Sequence, residues 1–114
     1  ISIVGLAQRG GHKEMIAIGS YAMDSAERAE VAFVVREDYQ GNGIASYLLE
    51  VLEIIAKEND FTGFTAAVLY ENAPMIRVFK KRYPRLKQSQ QEGGEIILLM
   101  DFIPPADETA DSNP

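Results

Sequence analysis

The sequence contains no cysteine. That excludes disulfide frameworks, thiolate metal sites and an acyl-cysteine intermediate, and it fits a reducing, cytoplasmic compartment. Histidine occurs once, as His12, inside the glycine-rich stretch Gln8-Arg9-Gly10-Gly11-His12-Lys13. A solvated turn residue is the expectation there, and no metal site can be assembled around it. Basic residues are scarce, 11 against 17 acidic ones for a net charge of -6, which argues against nucleic-acid partners because phosphate contacts need Lys and Arg in excess. Apolar runs such as Ile96 to Met100 fall far short of the ~20 residues that cross a bilayer, and no basic-then-apolar leader opens the sequence, so a soluble chain without a membrane partner is expected.

What is present is enough for one core: 46% hydrophobic residues in 114 positions, within the range of a single domain. Ile1 to Ala7 and Met15 to Met23 are apolar, partly alternating runs joined by the six residues Gln8 to Lys13, where the Gly10-Gly11 pair supplies the positive φ of a hairpin, which predicts two antiparallel strands. Ala29 to Arg36 is dense in β-formers and reads as a third strand. From Gly43 to Asn59 the period changes. Ile44, Leu48, Leu52 and Ile55 share one helical face, and Glu50, Glu53 and Lys57 are expected on the solvated side. Phe61 to Tyr70 follows as the parallel partner of a strand-helix-strand crossover. Asn72 can cap a helix over Ala73 to Arg82, with Met75, Ile76 and Phe79 on its buried side. Leu86 to Gln91 and Glu95 to Phe102 flank another glycine turn. The fold class is therefore α/β (α+β), a mixed, mainly antiparallel sheet in the order β-β-β-α-β-α-β-β. The domain is expected over residues 1-103. Residues 104-114, rich in Pro, Ala, Asp and Glu without periodicity, are expected to form a disordered acidic tail. Opening on Ile1, already strand-like, predicts that the sequence begins inside a longer fold.

The stretch Val35-Arg36-Glu37-Asp38-Tyr39-Gln40-Gly41-Asn42-Gly43-Ile44-Ala45 lies between the third strand and the long helix. Two glycines at a helix mouth let backbone N–H groups approach a pyrophosphate, and the unpaired first-turn amides favour negative charge. A plain strand-to-helix turn could use the same glycines. The stretch is neither a Walker loop, lacking Gly-Lys-Ser/Thr, nor a dinucleotide fingerprint, since Gly-x-Gly-x-x-Gly fails at Ser46.

Gln40-Gly41-Asn42-Gly43-Ile44-Ala45 resembles the Gln/Arg-x-x-Gly-x-Gly/Ala signature of the GNAT superfamily of N-acetyltransferases, and the order of elements around it is similar over about Ile1 to Phe102. The family's first strand and first two helices are lacking from this sequence. The resemblance implies acetyl-CoA as co-substrate, no metal, and pyrophosphate binding by the backbone of Gln40, Gly41, Asn42, Gly43, Ile44 and Ala45. It implies that Phe33, Val34 and Val35 pair main-chain groups with the pantetheine arm beside a splay between strands. Asn72 would bond the same arm; helix capping alone is the other reading of that residue.

An acceptor amine with a reference pKa of ~10.4 carries a proton at neutral pH that must be removed before it can attack a thioester. Glu30 is the acid written into the third strand, and Ala29, Val31, Ala32 and Phe33 are expected to desolvate it partly, the condition under which a carboxyl takes up protons near neutrality. It could equally begin the strand on a solvated face. Glu30-Val31-Ala32-Phe33-Val34-Val35-Arg36 resembles the strand bearing the catalytic glutamate in bacterial Pat-type protein lysine acetyltransferases, whose module is fused to regulatory or synthetase domains; the resemblance implies Glu30 as general base and a backbone N–H near Phe33 or Val34 as oxyanion donor. Many family members carry a tyrosine acid on the second helix, but Phe79 stands at the matching position, leaving Tyr70, Tyr83 or water. Arg77, Lys80, Lys81, Arg82, Arg85 and Lys87 crowd the end of that helix, where cations complement the dipole or meet a 3′-phosphate. Protein lysine is the expected acceptor. A small-molecule amine acetyltransferase and a non-catalytic acyl-CoA sensor are the alternatives.

Overall fold

A computed structural model describes residues 1–102, and the tail expected over 104-114 lies outside the described residues, as does residue 103 of the expected domain. The strands are β1 (Ser2–Arg9), β2 (His12–Met23), β3 (Arg28–Val35), β4 (Gly63–Leu69), β5 (Lys87–Gln90) and β6 (Glu95–Asp101). The helices are α1 (Ile44–Glu58) and α2 (Ala73–Arg82), with single 3-10 turns at Glu37–Tyr39 and Glu92–Gly94. This is the order expected from the sequence. The strands form one sheet in the order β1-β2-β3-β4-β6-β5. Gly10 and Gly11, both at positive φ (58° and 81°), close β1 onto β2, with Arg9 opposite His12. The hairpin is therefore tighter than the six-residue connection expected.

The crossover through α1 makes β3 and β4 parallel, and every other neighbouring pair is antiparallel. Both helices cover the same face of the sheet. Leu49 and Leu52 of α1, Phe79 of α2, Phe64 of β4, and Leu98 and Met100 of β6 meet in one buried cluster. Residues of the opposite parity, among them Val4, Ile18, Val34 and Leu99, point to the open face, as the two-residue strand period requires. One expectation from the helical pattern fails. Glu53 is only 7% exposed, because α1 buries Leu49, Leu52, Glu53 and Ala56 together and α2 packs against its flank.

Candidate active site

The site begins where β3 and β4 part. They are paired only at Arg28 with Gly63, Ala29 with Phe64 and Glu30 with Thr65, and then separate. The β2–β3 ladder is anchored at one end by Arg36 N–H on the Ile16 carbonyl (2.7 Å) and at the other by Asp24 N–H on the Arg28 carbonyl (3.0 Å), with no register shift between. Antiparallel alternation then turns the main-chain groups of residues 30, 32 and 34 toward β2 and those of 33 and 35 into the gap. Phe33 and Val35 therefore offer strand-like hydrogen bonding there, while Val34 spends its main-chain groups on β2. This corrects the equal treatment of the three positions. Gln40 already donates from Nε2 to the Val35 carbonyl at 3.0 Å.

Beyond β3 the chain makes the Glu37–Tyr39 turn and enters α1 through Gly41 (φ 82°) and Gly43 (φ 78°). That left-handed backbone is costly for any residue with a Cβ, so the glycines are a conformational requirement. Gly43 is the N-cap and supplies no side-chain acceptor to the first turn, and the first intrahelical bond runs from Tyr47 N–H to the Gly43 carbonyl (3.0 Å). The amides of Ile44, Ala45 and Ser46 thus precede the helical ladder, and α1 has no acidic residue in its first turn to occupy them. This is the electrostatic setting of an anion site.

Splay, glycine turn and α2 enclose one cleft of about 600 Å³. Phe33, Val34, Val35, Gln40, Gly41, Gly43, Ile44, Ala45 and Asn72 all line it, so nine of the ten residues chosen from the sequence for cofactor binding come together. Asn42 does not line it. Its side chain turns back, donating from Nδ2 to the Tyr39 carbonyl at 3.2 Å. Asn72 both caps α2, its Oδ1 accepting from Met75 N–H at 3.4 Å, and lines the cleft. The sequence reading missed Tyr39 and Ser46 as lining residues and, from α2, Pro74, Met75 and Val78, and it left Arg77 and Lys81 between dipole complement and phosphate contact. A signal existed: Arg77 and Lys81 are four residues apart, and Val78 shares their side of the helix.

Glu30 lies outside the cleft lining, at the apex of the splay, where the last β3–β4 pair forms. Its side chain is exposed on the open face, so the expected partial burial is not found. The cause is strand alternation: Ala29 and Val31 take the inner face and Glu30 the outer. Beside it, Thr65 donates from Oγ1 to Asp24 Oδ2 at 2.8 Å.

Phe79 is 1% exposed and packs its ring against Phe33 at 6.1 Å between centroids, which gives the apolar residue a core role. Tyr83 is buried and donates from its hydroxyl to Glu53 Oε1 at 2.5 Å. Burial first, and then the Glu53 carboxylate, push that hydroxyl well above the ordinary phenol range. Such a group is a poor proton donor to a leaving thiolate. Tyr70 is 64% exposed and does not line the cleft. Glu53 also accepts from Arg82 Nε (3.1 Å) and pairs with Lys57 Nζ (3.0 Å). Burial alone would raise its carboxyl, but the bonds from Tyr83, Lys57 and Arg82 outweigh it and hold the group below the usual carboxylate range.

A parallel strand pair that parts beside a glycine-led helix defines a class of α/β proteins able to hold a long ligand by its backbone edge and its anionic end together. The model of the acetyltransferase (GNAT) family matches residues 2–83, and the chain belongs to that family. Over 57 residues it is 40% identical to acetyltransferase Pat of Mycolicibacterium smegmatis, a match covering 50% of this chain and 17% of that protein. The solved GNAT domain of S. lividans PAT is 36% identical with a TM-score of 0.68, over 85% of this chain and 58% of that one. A cAMP-binding acyltransferase from Mycobacterium smegmatis is 29% identical with a TM-score of 0.67, over 86% of this chain and 32% of that one. The chain thus spans 17% of the curated relative and 58% of the solved domain.

Proposed function

We propose that this chain transfers an acetyl group from acetyl-CoA to the side-chain amine of a protein lysine, with Glu30 as general base. The observation that carries the proposal is the single cleft joining three things: a free β-strand edge, a glycine turn at a helix N-terminus, and the cations Arg77 and Lys81. Those features match the ligand in order: an amide-bearing arm, a pyrophosphate and further phosphate charge. A cleft of about 600 Å³ falls within the ordinary range for small-molecule sites. Similarity to the PAT domain supports protein lysine as acceptor.

Acetyl-CoA is a substrate here and supplies the activated acyl carbon. Phe33 and Val35 would hold the pantetheine arm as an added strand, and the amides at Gly41 to Ala45 the pyrophosphate. Glu30 stands at the splay apex, toward which an arm laid along β3 leads. Its carboxylate takes a proton from the acceptor ammonium, directly or through one water. The freed nitrogen attacks the thioester carbonyl, the carbon–sulfur bond breaks, and the second proton that the nitrogen sheds on becoming an amide passes through water to the departing thiolate. A backbone N–H facing the gap, that of Phe33 or Val35, stabilises the oxyanion, a contribution on the order of 3 kcal/mol per donor. A regulatory domain fused beside this one belongs to the reading, supported by the cAMP-binding relative, of which the match covers 32%. So does a cytoplasmic location, for which the cysteine-free composition argues. A module that binds acyl-CoA without transferring it is the second reading, favoured by Phe79 in the core and by the engaged Tyr83 hydroxyl.

The test is calorimetric titration of acetyl-CoA, followed by transfer assays on lysine-bearing proteins and on small amines. Binding that Gly43→Glu abolishes, and protein acetylation that Glu30→Gln abolishes while binding survives, is the expected result. Binding without transfer to any amine would establish the sensor reading, and transfer to small amines alone would refute the protein acceptor.

A further inference from the structure

The glycine turn is held only in part from within, by Gln40 on the Val35 carbonyl and Asn42 on the Tyr39 carbonyl. Gly41 and Gly43 sit at positive φ with open space where a Cβ would point, and no side chain caps α1. Restraint arrives from distant strands. Arg9, the last residue of β1, donates from Nη2 to Tyr39 Oη at 2.7 Å, and its guanidinium carbon lies 5.4 Å from the Tyr39 ring centroid. The Arg36 guanidinium lies 5.2 Å from the same ring. Arg36 bonds Asp38 through Nε at 2.7 Å and Nη2 at 2.8 Å, and its Nη1 reaches Glu14 Oε2 on β2 at 3.3 Å. Arg9 adds a 3.8 Å ion pair to Asp38. The turn is thereby tied to β1 and β2, on the side of β3 away from the cleft.

We propose that Arg9 is a positioning residue for cofactor binding: acting through Tyr39, it holds the glycine turn in its cradle shape before the phosphates arrive. The inference rests on the coenzyme A reading of the cleft. Arg9 itself does not line the cleft, whereas Tyr39 does and accepts the Asn42 amide on its carbonyl. The physical logic is preorganisation. A turn with two glycines loses more backbone entropy on ordering than one without, and ordering it in advance removes that loss from the binding step. Two cations over one phenol ring, one of them also hydrogen-bonded to its hydroxyl, suit that task because the ring keeps its place while each cation stays hydrated.

The experiment compares Arg9→Ala, Arg9→Lys, Tyr39→Phe and the Arg9→Ala/Tyr39→Phe double variant with the parent chain. Two quantities are measured: hydrogen exchange of the Tyr39 and Gln40 amides, which bond the Arg36 and Glu37 carbonyls at 2.8 and 3.2 Å, and the Kd for coenzyme A. Arg9→Ala should speed exchange at those two amides and weaken coenzyme A by about two- to five-fold, the range of a well-formed exposed pair. Arg9→Lys should recover most of both effects, and the double variant should bind no more weakly than the worse single one. Unchanged exchange and Kd in Arg9→Ala, or a lowered melting temperature alone, would overturn the proposal. If the parent chain binds no coenzyme A, the cleft reading fails, and the exchange rates still decide whether Arg9 restrains the turn.

Discussion

Replacing Glu53 tests whether α2 is held to α1 by charge as well as by apolar packing. In Glu53→Ala the buried Tyr83 hydroxyl, which donates to that carboxylate at 2.5 Å, would lose its acceptor; the Arg82 guanidinium beside it can donate to the hydroxyl but cannot accept its proton. An unsatisfied buried hydroxyl costs ~1–3 kcal/mol. The cationic heads of Arg82 and Lys57 are partly exposed and can turn to water, so each adds little beyond ~0.5 kcal/mol. Removal of the side-chain methylenes contributes on the order of 1 kcal/mol, for a total loss of ~3–5 kcal/mol. Glu53→Gln, which preserves an acceptor and the volume, should lose about half as much. Urea denaturation at neutral pH measures both, with the slope m unchanged. The pH dependence has a defined sign. The folded-state carboxyl is held below its ordinary value, so its contribution is fully present above that value and fades as pH falls through the folded one. The parent and Glu53→Gln stabilities should therefore converge below about pH 4, near the reference carboxylate value. A Glu53→Ala variant as stable as the parent at neutral pH, or a Glu53→Gln difference that persists unchanged into acid, would refute the argument.

Gly19→Ala would bring a Cβ within 2.9 Å of two ring carbons of Phe33 and 3.3 Å of Leu52 Cδ1. It should cost ~1–3 kcal/mol and, because Phe33 lines the cleft, weaken coenzyme A as well; equal affinity in a destabilised variant would show that the ring moves away from the cleft. Gly63→Ala would press a Cβ into the Met100 carbonyl, which belongs to the backbone and cannot rotate aside. Unfolding, or loss of several kcal/mol by denaturation, is expected, since Gly63 sits in the pairs that hold β3, β4 and β6 together. Raising the pH past ~10 should destabilise the parent more than Tyr83→Phe, because the Tyr83 hydroxyl ionises only in the unfolded chain there.

Much of this was legible from residue order. The period change at Gly43, the β-rich Arg28–Val35 and the Asn72 cap each act locally, and the structure has an element at each. Gly10 and Gly11 marked the hairpin, and Gly41 and Gly43 the helix mouth, because positive φ is a property of one residue. Less visible were contacts between distant positions. Glu53 was assigned to solvent since helical periodicity reports one face of one helix, whereas its partner Tyr83 is 30 residues away. Glu30 was given apolar cover because Ala29 and Val31 adjoin it in sequence, but neighbours in a strand face opposite sides.

Local chemistry, then, determined the elements, the glycine turn and ten candidate residues, of which nine line the cleft. Tertiary structure alone decided that β3 and β4 part after Glu30, which of the main-chain groups of Phe33, Val34 and Val35 face the gap, and that Arg77 and Lys81 complete the cleft. It also decided that Arg9 reaches across 30 positions to Tyr39. The reason is that a residue's dihedral preferences are written in itself and its neighbours, whereas the direction of a hydrogen bond or the partner of a charge is set by which strands lie side by side.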